Sequence, residues 1–600
     1  MKRNPKGRLE LTWMGKDSAL IPVEEGKYDY AWVDPSDPRA REVKPIEVLE
    51  QVGEVEGPTG ADENLLIIGD SGDALRSLGT IPEYHDRYAG QVKLVYIDPP
   101  FNTSQTFEHY ADQLEHSIWL TMMRDRIRDI KPLLAPDASI WVHLDDAEAH
   151  RMRVLMDEEF GPENFVATVL WQRVDNPSSR TSAKIVPSHD FLLVYSATPG
   201  FVARRREVDT LPAHYDRRDD EGRPYCSRSL RKAGAAARRE DRPSMWFPIQ
   251  SPNGDEVWPV RGDGSEGRWQ WGAEKVRRDY HQLDWLPSVR GGVEPFIRIY
   301  PPDEYTTPFH TWWPYSEVDS NRISKMEVKA IAPAEEVPFA TPKPERLLAR
   351  VMEVATFPGD LVLDFFGGSG TTAAVAHKMG RSWITVELQE STAQQFITPR
   401  LTKVVKGEDA GGVSAVTQRV AVNDLPQGMT PEEAQEFTSY LTKVVKAVDN
   451  LDDATIKALR AATRTRDKKT VLWEGGGGFT VAKMGPSMYE VDDDDGSVYL
   501  SAEATNGAWS KAVAGQLKFT LTPDDPVFCG ARKRQRLAVI DGVADETVVR
   551  TVVEHLGEKE KAVIVAKGVL PEAAKLLQSL SPGSRIKKAP GDMFANGTVK

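Results

Sequence analysis

Apolar and polar positions fall into short alternating blocks along the first two-thirds of the chain. From Asn64 an apolar run, LLIIG, gives way to a helical pattern, SGDALRSL, and then to a second apolar run ending at Ile97. Strand-like runs separated by helix-like segments predict a parallel sheet covered by helices, so the fold class is α/β. Ile118, Met122, Ile127, Ile130 and Leu134 then recur at near-helical spacing and predict a helix from about Ser117 to Leu134, with Pro132 complicating its end. SIWVHLDD reads as a buried strand ending in Asp145 and Asp146. His143 within it reads as a core histidine, and the two acids as capping and solvated groups of the next helix in preference to an acid–base pair. Further apolar runs at LVLD (361–364) and SWITV (382–386) flank another helical pattern, AAVAHKMG.

Between about Val174 and Val337 the periodicity dissolves. Arg204-Arg205-Arg206, Arg217-Arg218 and RSLRKAGAAARREDR interleave with Trp246, Trp258, Trp269, Trp271 and Trp285. The stretch reads as locally basic, and bases among aromatics suit phosphate contacts, base-edge hydrogen bonds and stacking. A small Trp-rich core under a charged surface leaves the same pattern. Past GEDAGG, Thr430-Pro431-Glu432-Glu433 has the spacing of a capping box at a helix start, and alternation resumes near the end (LAVIDG, ETVVRTVVEHL, AVIVAKG, PEAAKLLQSL), predicting a small α/β domain. The segment SQTFEHYADQLE, 104–115, is expected to be a mobile loop, and Asp492 to Asp495 a solvated turn. These shifts divide the chain into an N-terminal arm (1–60), the first part of a main domain (61–173), an inserted domain (174–337), the second part of the main domain (338–407) and a C-terminal interaction region (408–600).

Six hundred residues exceed what one hydrophobic core organises. The formal net charge of −14 argues against indiscriminate adhesion to nucleic acid, leaving room for a local basic groove. With only Cys226 and Cys529, neither a disulfide framework nor a Cys-rich zinc site is available. The basic N-terminus lacks an apolar core and no run approaches a membrane span, so a cytoplasmic setting is expected. No G-x-x-x-x-G-K-[ST] loop is present to drive a motor.

Candidate chemistry sits where two apolar runs stop. The first ends in Asp98-Pro99-Pro100-Phe101. The prolines fix φ and remove donors, leaving a carboxylate, stiff carbonyls and an aromatic face. That set suits a flat amine, with Asp98 and the Pro99 carbonyl accepting its hydrogens and Phe101 stacking on its ring; in isolation D-P-P also serves as a plain strand-ending turn. The second run enters DFFGGSGTT, where glycines allow close backbone approach and a helix N-terminus offers N–H groups, although the third glycine of the dinucleotide fingerprint is missing. The run SWITV ends in Glu387, a carboxylate suited to ribose hydroxyls.

DPPF after an apolar strand resembles motif IV of the amino-methyltransferases, and DFFGGSGTT resembles their motif I. The order, catalytic motif first and a long insert between, resembles the permuted β group of adenine-N6 and cytosine-N4 DNA methyltransferases. LLIIGDSGDALRSL, HSIWLTMMRDRIRDIKPLL, SIWVHLDD, MDEEFGPENFVATVLWQ, HDFLLVYS and TPKPERLL are similar to segments of the modification (Mod) subunits of Type III restriction systems, so the resemblance covers roughly 62–407.

It implies a Rossmann-like sheet dependent on S-adenosyl-L-methionine (AdoMet), with the insert as target-recognition domain. The two motif strands should lie side by side at one sheet edge. It implies catalytic roles for Asp98, Pro99, Pro100 and Phe101, and an AdoMet site of Asp364, Phe366, Gly368, Gly370, Thr371, Glu387 and Lys343, the last from the K-P segment. The implied reaction is methyl transfer to N6 of a flipped-out adenine in duplex DNA, within a restriction-modification or related defence system. Cytosine N4 is the alternative target, or a chain that chiefly recognises sequence for a helicase–nuclease partner. Asp rather than Ser at 98 favours adenine, while Phe101 stands where the Type III subunits more often carry Tyr. Double-stranded DNA, a second copy in a homodimer and a restriction (Res) subunit are the implied partners.

Overall fold

The computed structural model describes residues 10–23, 26–54, 64–102, 106–107, 110–111, 115–175, 185–207, 211–288, 291–302, 305–331, 339–409, 411–448, 452–492 and 497–594. Most of the 104–115 segment and Asp493 to Asp495, expected to be loop and turn, lie outside the described residues. The chain divides into two units, one of Met1–Arg204 with His310–Lys600 and one of Arg205–Phe309.

The first unit is organised on a ten-stranded sheet. In chain order its strands are β1 (Ile46–Gly53), β2 (Asn64–Ile68), β3 (Val92–Ile97), β4 (Leu134–Leu144), β5 (Phe165–Gln172), β6 (His189–Ser196), β7 (Trp312–Trp313), β8 (Leu361–Asp364), β9 (Ser382–Glu387) and β10 (Gly478–Met484). Across the sheet they run β7-β5-β6-β4-β3-β8-β9-β2-β10-β1. The centre, from β4 through β10, is parallel. Strands β2, β3, β8 and β9 are apolar almost throughout and buried, as strands covered on both faces must be. Antiparallel pairs flank this centre, β4 with β6, β6 with β5 and β10 with β1.

Helices α1 (Ser71–Leu78), α2 (His116–Ile130) and α3 (Ala149–Phe160) share one core with these strands, built around Leu75, Trp119, Met122, Ile127, Met152 and Leu155. The predicted helix through Leu134 stops earlier: α2 ends at Ile130, a short 3-10 turn covers Lys131–Leu133, and β4 begins at Leu134. Pro132 has no N–H to continue the ladder, so the apolar spacing outran the hydrogen bonds. His143 is fully buried, Asp145 caps the turn to Ala147 and Asp146 is exposed.

A buried ionic network ties α4 (Glu345–Ala355), α5 (Thr371–Lys378) and α6 (Thr398–Lys406) together. Lys378 Nζ lies 2.8 Å from both Glu345 carboxylate oxygens and 2.8 Å from Asp409 Oδ2. Arg400 reaches Glu345 Oε1 at 2.8 Å and donates to Thr371 Oγ1 at 2.7 Å. Glu327 accepts from the Glu345 N–H, and its own burial, then the Glu345 charge, pushes its carboxyl up to about 8.

The chain beyond Lys406 contributes β10 to the main sheet. It also carries helix α7 (Pro431–Ala447), whose capping box is formed as its spacing predicts: Glu433 N donates to Thr430 Oγ1 at 3.2 Å and Thr430 N to Glu433 Oε2 at 2.8 Å. Five strands ending in Lys561–Val569 and Arg585–Lys588, with helices Glu546–Glu554 and Pro571–Leu580, make the small α/β element near the end. No described helix is long and apolar enough to cross a membrane.

The second unit has a four-stranded antiparallel sheet around a core of Leu230, Ile249, Trp269, Val276 and Leu283. Its locally basic reading needs correction. Acidic residues match basic ones in number between 205 and 309, and Arg217, Arg223, Arg231, Arg239 and Arg278 pair with Asp284, Asp219, Glu294, Glu266 and Asp279. Trp269 is core, whereas Trp258 is exposed and tilted against Trp246 at 5.1 Å.

Glu345→Ala would leave Lys378 and Arg400 as buried cations lacking their shared partner, which costs about 3–5 kcal/mol. Denaturant unfolding of the full chain should register a loss of that size.

Candidate active site

The site grows from one pairing. Strands β3 and β8 lie parallel and adjacent, Val362 opposite Leu94 and Leu363 opposite Val95, so Asp98 and Asp364 emerge at the same sheet edge. Asp98 Oδ2 lies 2.5 Å from Lys343 Nζ, while Asp98 Oδ1 is buried with no hydrogen-bond partner among the described residues. The Lys343 ammonium also sits 4.9 Å from the centre of the Phe101 ring, a cation–π distance. His143 approaches the same ring, centroids 5.8 Å apart. Burial, and next the Lys343 charge, lowers the His143 pKa against its Asp190 contact, so the ring is neutral at neutral pH. A neutral ring fits its contacts as an acceptor from Tyr96 Oη at 2.7 Å and a donor to Asp190 at 3.3 Å.

The turn after Phe101 is clamped from below. Asn102 has φ 61°, the left-handed region that Asn tolerates better than most residues. Its amide donates to Glu148 Oε1 at 2.8 Å, and Glu148, fully buried at the start of α3, also contacts His116 and Arg151. Trp119 Nε1 donates to the Pro100 carbonyl at 2.7 Å.

The glycine loop leaves β8 with equal constraint. A Cβ on Gly367 would come within 2.9 Å of Thr385 Oγ1, and Gly368 and Gly370 have φ of 52° and 72°. Gly368 N donates to Glu387 Oε2 at 2.8 Å and Gln389 N to Oε1 at 3.0 Å, which fixes the carboxylate at the end of β9. Phe366 N donates to Asp364 Oδ1 at 3.0 Å. Arg400 holds Thr371 and thereby ties the loop to the buried network.

A cleft of about 1110 Å³, open to solvent, collects these groups. Asp98, Pro99, Phe101, Lys343, Asp364, Phe366, Gly368, Thr371 and Glu387 all line it. Pro100 and Gly370 act on the backbone behind it, through the Trp119 bond and the start of α5. Sequence reasoning missed Tyr28, whose ring stacks on Phe366 with centroids 6.5 Å apart, and Phe339, Asn321 and the Arg173–Asp190 ion pair. Thr341, two residues before Lys343, could have been found by following the K-P segment back; nothing around Tyr28 marks it.

Two of the cleft carboxyls are shifted strongly. Burial pushes Asp364 up to about 8, helped by the charges of Asp98 and Glu387 and opposed by hydrogen bonds from Thr372 and the Phe366 N–H. Burial pushes Glu387 up to about 7 against the N–H donors of Gln389, Gly368 and Leu388.

Parallel strands that deliver a carboxylate turn and a glycine loop to one edge define an α/β protein of the nucleoside-binding kind. The DNA methylase family (N6_N4_Mtase) matches residues 92–398, just over half of the chain, and the chain belongs to it. Its similarity to the HindVI Mod subunit of Haemophilus influenzae is 28% identity over 59% of this chain and 52% of that protein. The Type II methyltransferase M.KpnI of Klebsiella pneumoniae is 27% identical over 53% of this chain and 78% of its own length. The Type III restriction-modification enzyme EcoPI Mod subunit of Escherichia phage P1 is 28% identical over 52% and 55%. The chain thus spans about half the length of the Mod subunits it matches.

A carboxyl whose pKa is raised on folding stabilises the fold below its unfolded value and loses that contribution as pH rises through the folded value. For Asp364 the window runs from about 4 to about 8. Asp364→Asn should therefore gain melting temperature over wild type as pH is raised across that window in ligand-free samples, and the two should converge near pH 4.

Proposed function

We propose that this chain transfers a methyl group from AdoMet to N6 of an adenine flipped out of duplex DNA, as the modifying component of a restriction-modification system. The observation that carries the reading is the buried Asp98 Oδ1, unpartnered among the described residues, beside Pro99 and Phe101 on the strand next to the glycine loop.

AdoMet supplies an electrophilic methyl on a sulfonium. The residues present fit it: glycines leave room for close approach, Glu387 offers a carboxylate to ribose hydroxyls, and Phe366 with Tyr28 offers aromatic surface. Asp364, Phe366, Gly368, Gly370, Thr371 and Glu387 would hold it. An amine inside the base stack cannot be approached in line, so the base must leave the duplex, at a cost of a few kcal/mol. Phe101 then stacks on the base. Asp98 Oδ1 and the Pro99 carbonyl accept the amine hydrogens, directing the nitrogen lone pair at the methyl and stabilising the positive charge that develops on nitrogen.

Asp98 supports adenine over cytosine, and the similarity to Mod subunits supports the restriction setting. DNA recognition is assigned to the second unit, with a second copy and a helicase–nuclease subunit as further partners and the cytoplasm as the setting.

Methylation-aware sequencing of DNA from cells expressing wild type or Asp98→Ala is the test. One short motif should carry N6-methyladenine with wild type only, while the variant still binds AdoMet; a mark on cytosine N4 would overturn the choice of base, and equal marking by the variant the role of Asp98.

A further inference from the structure

Five carboxylates line the cleft, and the surroundings of three of them, Asp98, Asp364 and Glu387, differ. Asp364 and Glu387 are met by backbone N–H groups and buried. Asp98 alone among these three is paired with a cation in the described residues, through Lys343, whose side chain is itself only 8% exposed. The other charged groups of the cleft have partners of their own. Arg173 pairs with Asp190, and Asp190 with His143, which also bonds Tyr96. Asp145 caps Ala147, and Tyr28 lies against Phe366.

We propose that Lys343 is the positioning residue of Asp98: its ammonium is the carboxylate's counter-charge in a crowded acidic cleft and holds Oδ2, so that Oδ1 faces the target amine. The assignment rests on the functional reading above and moves Lys343 from the cofactor to the target side of the site. A half-buried carboxylate among other acids is disfavoured unless a cation answers its charge. A protonated Asp98 would no longer stabilise charge growing on the nitrogen, and without a fixed Oδ2 its plane could turn. Asp364 responds to the same charge, since ionised Asp98 is one of the groups that hold it protonated.

The test uses the full chain and Lys343→Met, Lys343→Arg, Asp98→Asn and Lys343→Met with Asp98→Asn. Lys343→Met is expected to lower kcat at neutral pH at least about tenfold and to move the acidic limb of the pH profile up by about one unit, one pKa unit being tenfold in protonation. KM for AdoMet should stay within about twofold and Lys343→Arg should recover most of the rate. An unchanged pH profile and kcat overturns the proposal, as does weaker AdoMet binding with full kcat at saturation. Thermal unfolding gives a readout free of activity. Lys343→Met should lose stability against wild type, and Asp98→Asn should reduce that loss in the double variant; zero coupling in the cycle overturns the pair. A wild-type chain that methylates no DNA refutes the functional reading, and the unfolding cycle still decides the pair.

Discussion

The contact on which the rest depends is the backbone pairing of β3 with β8. These strands are far apart in the chain and carry different chemistry, yet the parallel register sets their ends at one edge. A slip of one residue would reverse which side chains face the core and would move Asp98 relative to the glycine loop. Each end is then pinned separately. Glu148 and Trp119 hold the turn after β3, while Glu387 and Arg400 hold the loop after β8. The cleft is therefore precise although no single segment encloses it.

The electrostatics follow from that convergence. Acidic groups brought to one sheet edge cannot all stay charged in a low-dielectric cleft. Burial holds Asp364 and Glu387 towards their neutral forms, and a lysine accompanies Asp98. Distinct environments thus set similar side chains apart, one beside a cation and the others among backbone N–H groups.

What could be read from sequence was what is decided locally. Apolar runs gave the parallel strands because a doubly covered strand needs no polar face, and the Thr430–Glu433 spacing gave a cap because both partners lie within one turn. The residues of the two motifs do meet in one cleft. The end of α2 was misjudged because apolar spacing continues through Pro132 where hydrogen bonding does not. The arginine-rich middle looked basic because a linear reading notes arginines in runs and overlooks the acids that fold against them. Tyr28, and the clasp of Asn102 by Glu148, were invisible for a related reason: each acquires its meaning from a partner that only the tertiary structure supplies.

Strand β10 has a consequence for how the protein comes into being. It inserts between β1 and β2, two strands close together near the start of the chain, and pairs with both. Until Gly478–Met484 has left the ribosome, β1 and β2 each keep an open edge where β10 belongs. Nascent chains carrying both chemical motifs are thus synthesised well before the sheet that positions them can close. A chain truncated upstream of this strand would keep an unpaired sheet edge, the kind of surface that promotes aggregation.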